Sequence, residues 1–156
     1  MMEDQDTCHI DVFEISVSVP DRDKAIQEFR DRLGLEPYYM MEAELPGFIL
    51  RGKEVPPFKA KFAFYRAGPV RLELLEAEGG IYAEYIRKHG PGVNHIGCRV
   101  SDVDFEVDWF KKRGIETIST LDVGPVAKWA YLDTESILGF YIELIQTSMR
   151  EPGLPR

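Results

Sequence analysis

The sequence is poor in cysteine, short of basic residues and without long apolar runs, and each shortage closes off a class of function. Cys8 and Cys98 are the only cysteines in 156 residues. Two thiols cannot supply a disulfide framework for a chain this long, so both are expected to be free in a reducing compartment. The fold must then rest on its own core, and a chain of about 150 residues, burying roughly 68–70% of its unfolded surface, can build one. Nineteen Lys and Arg stand against 27 Asp and Glu, a net charge of −8. That balance offers no basic face to neutralise phosphates, so nucleic acid is not expected as a partner. No apolar run approaches the ~20 residues that span a bilayer, so no membrane is expected either. The first residues, Met1 to Cys8, are acidic and polar. They lack the basic and apolar regions of a signal peptide, and a cytoplasmic protein is expected.

What the chain does have is alternation broken by well-placed turn residues. Residues 10–19 alternate as a strand, with Val12, Ile15, Val17 and Val19 as β-formers. Pro20 ends it, Asp21 can cap a helix, and Gly34 can stop that helix. Ala25, Ile26, Phe29 and Leu33 give the helix an apolar stripe. Strands are expected near 36–42, 47–51, 59–66 and 70–76, with Gly52–Pro57 and Gly68–Pro69 as turns. A short helix from Gly79 to about Lys88 reads as a connector. A strand at 93–100 follows, then a helix capped by Asp102 that turns Val103, Val107, Phe110 and Trp109 inward, ending at Gly114. Further strands are expected near 115–119, 126–132 and 139–146, and residues 151–156 read as a loose tail.

The two halves read alike. Glu14-Ile15-Ser16-Val17-Ser18-Val19-Pro20-Asp21 lies over His95-Ile96-Gly97-Cys98-Arg99-Val100-Ser101-Asp102, an offset of 81 from Glu14 to His95. The same offset places Asp23 on Asp104, Ile26 on Val107 and Phe29 on Phe110. Near the end of each half, Leu72-Glu73-Leu74 matches Ile142-Glu143-Leu144 at an offset of 70 from Glu73 to Glu143. Two such matches in the same order point to a duplicated strand–helix–strands unit and an α+β fold.

The repeat nominates a metal site. Glu14 and His95 occupy equivalent places in the first strand of each half, and Glu73 and Glu143 in the last. Alternation turns Glu73 and Glu143 away from their apolar neighbours, onto the opposite face of the sheet. In a two-fold sheet, equivalent positions converge on the axis, so the four groups meet in one cavity. Three carboxylates there raise one another's pKa values, and a divalent cation relieves the conflict. Mostly oxygen ligands with one nitrogen suit Mn²⁺, Mg²⁺, Co²⁺, Ni²⁺ or Zn²⁺.

Four stretches carry a resemblance to a known family. They are Val19-Pro20-Asp21 with the helix running to Leu33-Gly34-Leu35-Glu36, Val70-Arg71-Leu72-Glu73-Leu74-Leu75-Glu76, Lys88-His89-Gly90-Pro91-Gly92-Val93-Asn94-His95-Ile96-Gly97, and Gly139-Phe140-Tyr141-Ile142-Glu143-Leu144. Over about residues 11–146 the chain resembles the vicinal oxygen chelate superfamily of glyoxalases, bleomycin-resistance proteins and dioxygenases. The middle two stretches are most similar to methylmalonyl-CoA epimerases. The resemblance implies paired βαβββ modules, about 10–77 and 93–146 with a connector at 78–92, forming a half-open barrel around a metal or ligand cleft. The tails would be 1–9 and 147–156. Its ligand positions fall on Glu14, Glu73, His95 and Glu143. Glu14 departs from the pattern, standing where epimerases carry histidine, and Asn94-His95 replaces a His-His pair. Extradiol oxygen chemistry needs two histidines and one carboxylate, so Glu14 argues against it.

The implied activity is isomerase chemistry. A metal chelates adjacent substrate oxygens and stabilises an enolate, while a carboxylate moves the proton beside the carbonyl. Glu143 is the expected first base, and Glu42 or Glu44 the second. The substrate would be a small carbonyl compound or an acyl-CoA, with Arg51, Lys59, Lys61 or Arg66 available to meet an anion. Trp129 and Tyr131 are candidate pocket residues. A glyoxalase-type lyase and a metal-free small-molecule-binding protein are the alternatives, and a homodimer is expected.

Overall fold

The computed structural model describes residues 11–149. Cys8, the expected tail 1–9 and residues 150–156 of the expected tail 147–156 lie outside the described residues, while Thr147, expected in that tail, is the last residue of the final strand. The first half runs β1 (Asp11–Ser18), α1 (Arg22–Leu33), β2 (Tyr39–Leu45), β3 (Phe48–Leu50), β4 (Lys53–Val55), β5 (Phe58–Ala67) and β6 (Val70–Ala77). After α2 (Gly80–His89), the second half runs β7 (Gly92–Arg99), α3 (Val103–Lys111), β8 (Thr117–Asp122), β9 (Ala127–Leu132), α4 (Glu135–Leu138) and β10 (Tyr141–Thr147). The caps act as the sequence predicts. Asp21 accepts from the Lys24 amide at 2.9 Å and Asp102 from the Phe105 amide at 3.0 Å, each satisfying a donor the first helical turn would leave unpaired. Gly34 ends α1 at φ 65°, a left-handed conformation that suits glycine.

The ten strands form one curled sheet in the order β2-β5-β6-β1-β7-β10-β9-β8-β3-β4. Outward from the central pair, the first half reads β1-β6-β5-β2 and the second β7-β10-β9-β8, the same order twice. At the seam β1 and β7 run antiparallel, with Ile15 opposite Ile96, Glu14 opposite Gly97 and Ser16 opposite His95. The offset of 81 exchanges Ile15 with Ile96 and turns the Glu14–Gly97 pair into the His95–Ser16 pair, so the pseudo-two-fold axis passes through the Ile15–Ile96 pair. The parallel pairs agree: Ser16 faces Glu73 across β1–β6, and Gly97 faces Glu143 across β7–β10. The repeat read from the sequence is therefore the register of the sheet, and the fold is an α+β half-barrel.

The β3–β4 hairpin departs from the expected pattern. Residues 52–57 read as a turn, but Lys53–Val55 form a strand paired with Phe48–Leu50. The chain leaves β2 at one edge of the sheet and pairs β3 with β8 of the other half, Ile49 opposite Thr120 and Leu50 opposite Ser119. It then returns to β5, so the hairpin clasps the two ends of the half-barrel together. Arg51 at its tip adopts φ 47°, and its amide donates to the Ile118 carbonyl at 2.7 Å. Two three-residue strands draw their hydrogen bonds from a distant edge, which local alternation does not announce. The one-turn helix α4 was likewise not expected.

Alternation sorts the core into layers. On the outer face, Ile26 of α1 packs with Ala63, Tyr65 and Leu74. Val103 of α3 packs with Cys98, Ala130, Leu132 and Leu144. Inside the curl, Leu50, Phe58, Leu75, Ile81, Tyr82 and Tyr131 form a third cluster. Two expected core residues stay outside it. Leu33 is 60% exposed because the apolar stripe of α1 ends at Phe29, and Trp109 is half-buried beneath the Arg113 guanidinium, 3.6 Å from its ring centroid. Cys98 is a buried free cysteine. Among the described residues, no helix is long and apolar enough to cross a membrane.

Candidate functional site

The concave face holds a cleft of about 300 Å³ that straddles the seam. Its floor comes from the four strands nearest the axis. Leu72 and Leu74 pack outward, so Arg71, Glu73 and Leu75 of β6 face inward. Ile142 and Leu144 do the same for Tyr141, Glu143 and Ile145 of β10. Glu14 of β1 and His95 of β7 complete the set, each 2% exposed. Gly97 makes room for Glu14, since a Cβ there would lie 3.1 Å from the Glu14 Cβ and 3.2 Å from the Phe13 ring.

Glu14, His95 and Glu143 each offer a ligand atom, all within 4.8 Å of one another. His95 Nε2 lies 3.3 Å from Glu143 Oε2 and 3.8 Å from Glu14 Oε1. Its other nitrogen, Nδ1, is paired with Asn94 Oδ1 at 2.9 Å, which fixes the ring, while Asn94 Nδ2 donates to the Ile81 carbonyl at 3.4 Å. Glu73 stands beside this group and accepts from Ser16 Oγ at 2.6 Å.

The two-fold symmetry is broken by chemistry. The equivalent of Ser16 is Gly97, which has no hydroxyl to hold Glu143. Tyr131 is opposite Glu143 where Phe64 is opposite Glu73, and only the tyrosine brings a hydroxyl. Tyr131 pairs with Tyr82 of α2, hydroxyl to hydroxyl at 2.7 Å. Burial first, and then the charge of Glu143, push both phenols well above their usual range, so both keep their protons.

Arg71 brings a cation that the sequence reading missed. Its guanidinium pairs with Glu14 Oε2 and lies 4.5 Å from the Phe64 ring centroid and 5.4 Å from that of Phe13. The signal was present: Arg71 and Glu73 are two apart on one strand and so share a face, as do Glu14 and Ser16. Burial opposes the Glu14 charge, but the nearby His95 and the charge and pairing of Arg71 hold its pKa below the usual value. Burial and the Glu14 charge push Glu73 up to about 8. Burial works against a charged His95, yet the charge on Glu143 and the nearness of the Glu14 and Glu143 carboxylates raise it to about 10. With a proton on each of His95 and Glu73, the remaining charges cancel, two carboxylates against an imidazolium and a guanidinium.

Glu42 and Glu44 are not brought to this cleft. They face Lys61 and Lys59 across β2–β5, on the outer side of the sheet. Arg22 Nη2 holds Glu42 at 3.2 Å and fastens β2 by donating to the carbonyls of Met41 and Phe62. Arg51 pairs with Glu84 at 2.7 Å and Lys61 with Glu76 at 3.4 Å, while Arg66 lies over the Tyr38 ring. Neither these three nor Lys59 lines the cleft. Trp129 and Tyr131 do line it, and Tyr82 joins them from a helix that read as a plain connector.

Comparison with known proteins places this architecture. The family model of the glyoxalase/bleomycin resistance protein/dioxygenase superfamily matches residues 14–132. The chain belongs to this superfamily. The match takes in Glu14, Glu73 and His95 and ends before Glu143. A 2-epi-5-epi-valiolone epimerase of an Actinomyces species is 28% identical over 151 residues, covering 90% of this chain and 81% of the relative. A methylmalonyl-CoA epimerase from Mycobacterium tuberculosis superposes with a TM-score of 0.63 at 18% identity, covering 88% of each chain. A hypothetical protein of Bacillus halodurans gives 0.67 at 22% identity, covering 92% of this chain and 99% of the other. At these identities the two structures share the superfamily fold with this chain.

The donor set fits a divalent cation. Three buried ligand atoms of oxygen and nitrogen type converge, and Arg71 occupies one Glu14 oxygen while leaving Oε1 turned toward His95.

Proposed function

We propose that this superfamily member is an epimerase-type isomerase that moves a proton at the carbon beside a carbonyl, within the cleft at the seam. The observation that carries the reading is Glu143, a buried carboxylate 3.3 Å from His95 and opposite Tyr131 across the β9–β10 pair, at the floor of a ligand-sized cleft. A carboxylate so placed is a general base, provided that the reacting carbon sits within reach. The Actinomyces relative, named as an epimerase, supports the same reaction class.

Epimerisation needs a second proton carrier on the other face of the substrate. Glu42 and Glu44 lie on the outer side of the sheet, so the role passes to Glu73, the two-fold equivalent of Glu143 across the axis. Ser16 holds Glu73 in place, and its raised pKa keeps a proton available near neutrality. The Tyr82–Tyr131 hydroxyl pair, in which one O–H is spent on the other, leaves one donor for a substrate oxygen in a water-poor site. When bound by Glu14, His95 and Glu143, a divalent cation would supply a fixed positive charge for the negative charge developing on the carbonyl oxygen. Leu75, Phe62 and Trp129 line the same cleft and exclude water from the carboxylates.

The test is solvent exchange. Purified protein, incubated in D₂O with candidate carbonyl compounds, is expected to replace the hydrogen beside the carbonyl, as followed by proton NMR. Glu143→Gln is expected to abolish the exchange. Exchange that survives in Glu143→Gln would remove the proposed base. A second reading, a metal-free binding protein of the same fold, draws on Arg71, which already neutralises Glu14. It predicts ligand binding without exchange. The expected homodimer is checked by light scattering.

A further inference from the structure

The cleft is polarised along its depth. Its charged groups and its tyrosine pair lie at the buried floor. The half-buried and exposed lining residues nearer solvent are apolar, among them Leu45, Pro46 and Phe48 at the clasp and Trp129, Ile145 and Met149 from the second half, with the exception of Thr147, whose hydroxyl donates to the Val126 carbonyl at 3.1 Å. Among the described residues, the only Lys or Arg lining the cleft is Arg71, which is 9% exposed and committed to Glu14.

We infer that this cleft takes an uncharged carbonyl compound with an oxygen-bearing head and an apolar aryl or branched-alkyl body, an inference that rests on the isomerase reading and names its substrate class. Three physical arguments converge. A coenzyme A thioester carries phosphates, which need local cations, and on a chain of net charge −8 none of the described residues lining the mouth is Lys or Arg. A free carboxylate at the floor would add a negative charge to a balanced set whose two cations, Arg71 and His95, are already engaged by Glu14 and Glu143. A ring bearing hydroxyls all round would press several of them against Phe48, Trp129 and Ile145, where they would lose water and find no partner. A head with two neighbouring oxygens is satisfied at the floor by the one free O–H of the tyrosine pair and by His95, and an apolar body fills the outer half.

Binding and exchange are measured separately, so that the two readings fail separately. In a Trp109→Phe background, the fluorescence of Trp129 is titrated with phenylacetylcarbinol (an uncharged aryl hydroxyketone), a keto-inositol and methylmalonyl-CoA. Phenylacetylcarbinol is expected to bind at least about tenfold more tightly than the other two, in keeping with the discrimination a hydrophobic pocket achieves. Phe48→Ala is expected to weaken it about tenfold. Met149→Lys, at a 58% exposed position, leaves the fold undisturbed and is expected to narrow the gap to methylmalonyl-CoA severalfold. Equal or tighter binding of methylmalonyl-CoA or the keto-inositol to the Trp109→Phe protein overturns the inference, as does an unchanged preference in both variants. Deuterium exchange on the same three compounds tests the isomerase reading. Binding of phenylacetylcarbinol without exchange would sink that reading and leave the ligand class standing. Exchange of methylmalonyl-CoA alone would do the reverse.

Discussion

Replacing Arg71 by Met should show how far the cleft depends on its internal cation. Glu14 is 2% and Arg71 9% exposed, so the pair lies out of water. Removing the guanidinium leaves a buried carboxylate with His95 as its remaining cationic neighbour. Breaking a buried pair from one side costs about 3–5 kcal/mol, because the surviving charge keeps its desolvation penalty. In a chain of this size about 1 kcal/mol moves Tm by roughly 2–4 °C, so the midpoint should fall by about 6–20 °C. Urea unfolding at pH 7 measures the loss directly. The double variant Glu14→Gln/Arg71→Met should recover most of it, since neither charge is then stranded. The pH dependence has a definite sign. The Glu14 pKa is depressed in the folded protein, so its contribution is present above the unfolded value of 4.5 and is lost as pH falls through the lower folded value. Arg71→Met removes part of that depression, so the gap between wild type and variant should narrow with acid. A loss below about 1 kcal/mol, or a double variant no more stable than the single, would refute the reasoning.

Three further outcomes follow from the same structure. His95, raised to about 10 from 6.5, and Glu73, raised to about 8 from 4.5, both bind protons more tightly when folded. Their stabilisation is complete below the unfolded values and is lost as pH rises through the folded ones, so metal-free protein should be less stable at pH 9.5 than at 6.5. A divalent ion held by Glu14, His95 and Glu143 would displace the His95 proton, and calorimetry in buffers of differing ionisation heat should detect proton release when the ion binds near pH 7. Gly79→Ala should cost about 1–3 kcal/mol in urea unfolding, because the new Cβ would sit 2.8 Å from the Phe58 ring. Leu144→Ala, at a fully buried outer-face position, should cost about 2–5 kcal/mol by the same measurement.

Much of this was legible because duplication writes the same constraint twice. Asp21 and Asp102, each followed by a helix, predicted the caps, and the offset of 81 predicted the exchange of Glu14 and His95 about the axis. Leu72-Glu73-Leu74 and Ile142-Glu143-Leu144 showed which face each carboxylate takes. Three things stayed hidden, for physical reasons. The β3–β4 clasp draws its order from β8, some seventy residues away in the chain. Glu42 and Glu44 sit in a strand whose outward face is fixed by Arg22 and by the register with Lys61 and Lys59, and neither constraint shows in a local window. Tyr82 enters the cleft from α2, whose short pattern gave no sign that one face would meet the axis. Arg71 was readable from its spacing to Glu73, but its role as counter-charge to Glu14 needs the parallel pairing of β1 with β6, where Glu14 faces Arg71.

The central claim is that Glu14, His95 and Glu143 hold a divalent ion at the seam, where the reaction is carried out. It is tested most directly by elemental analysis of untagged protein after exposure to Mn²⁺, Co²⁺, Ni²⁺ or Zn²⁺ and exhaustive dialysis. The account predicts close to one ion per chain in the wild type and none in Glu143→Ala or His95→Ala. Wild-type protein that retains no ion, or variants that retain it fully, would contradict the account.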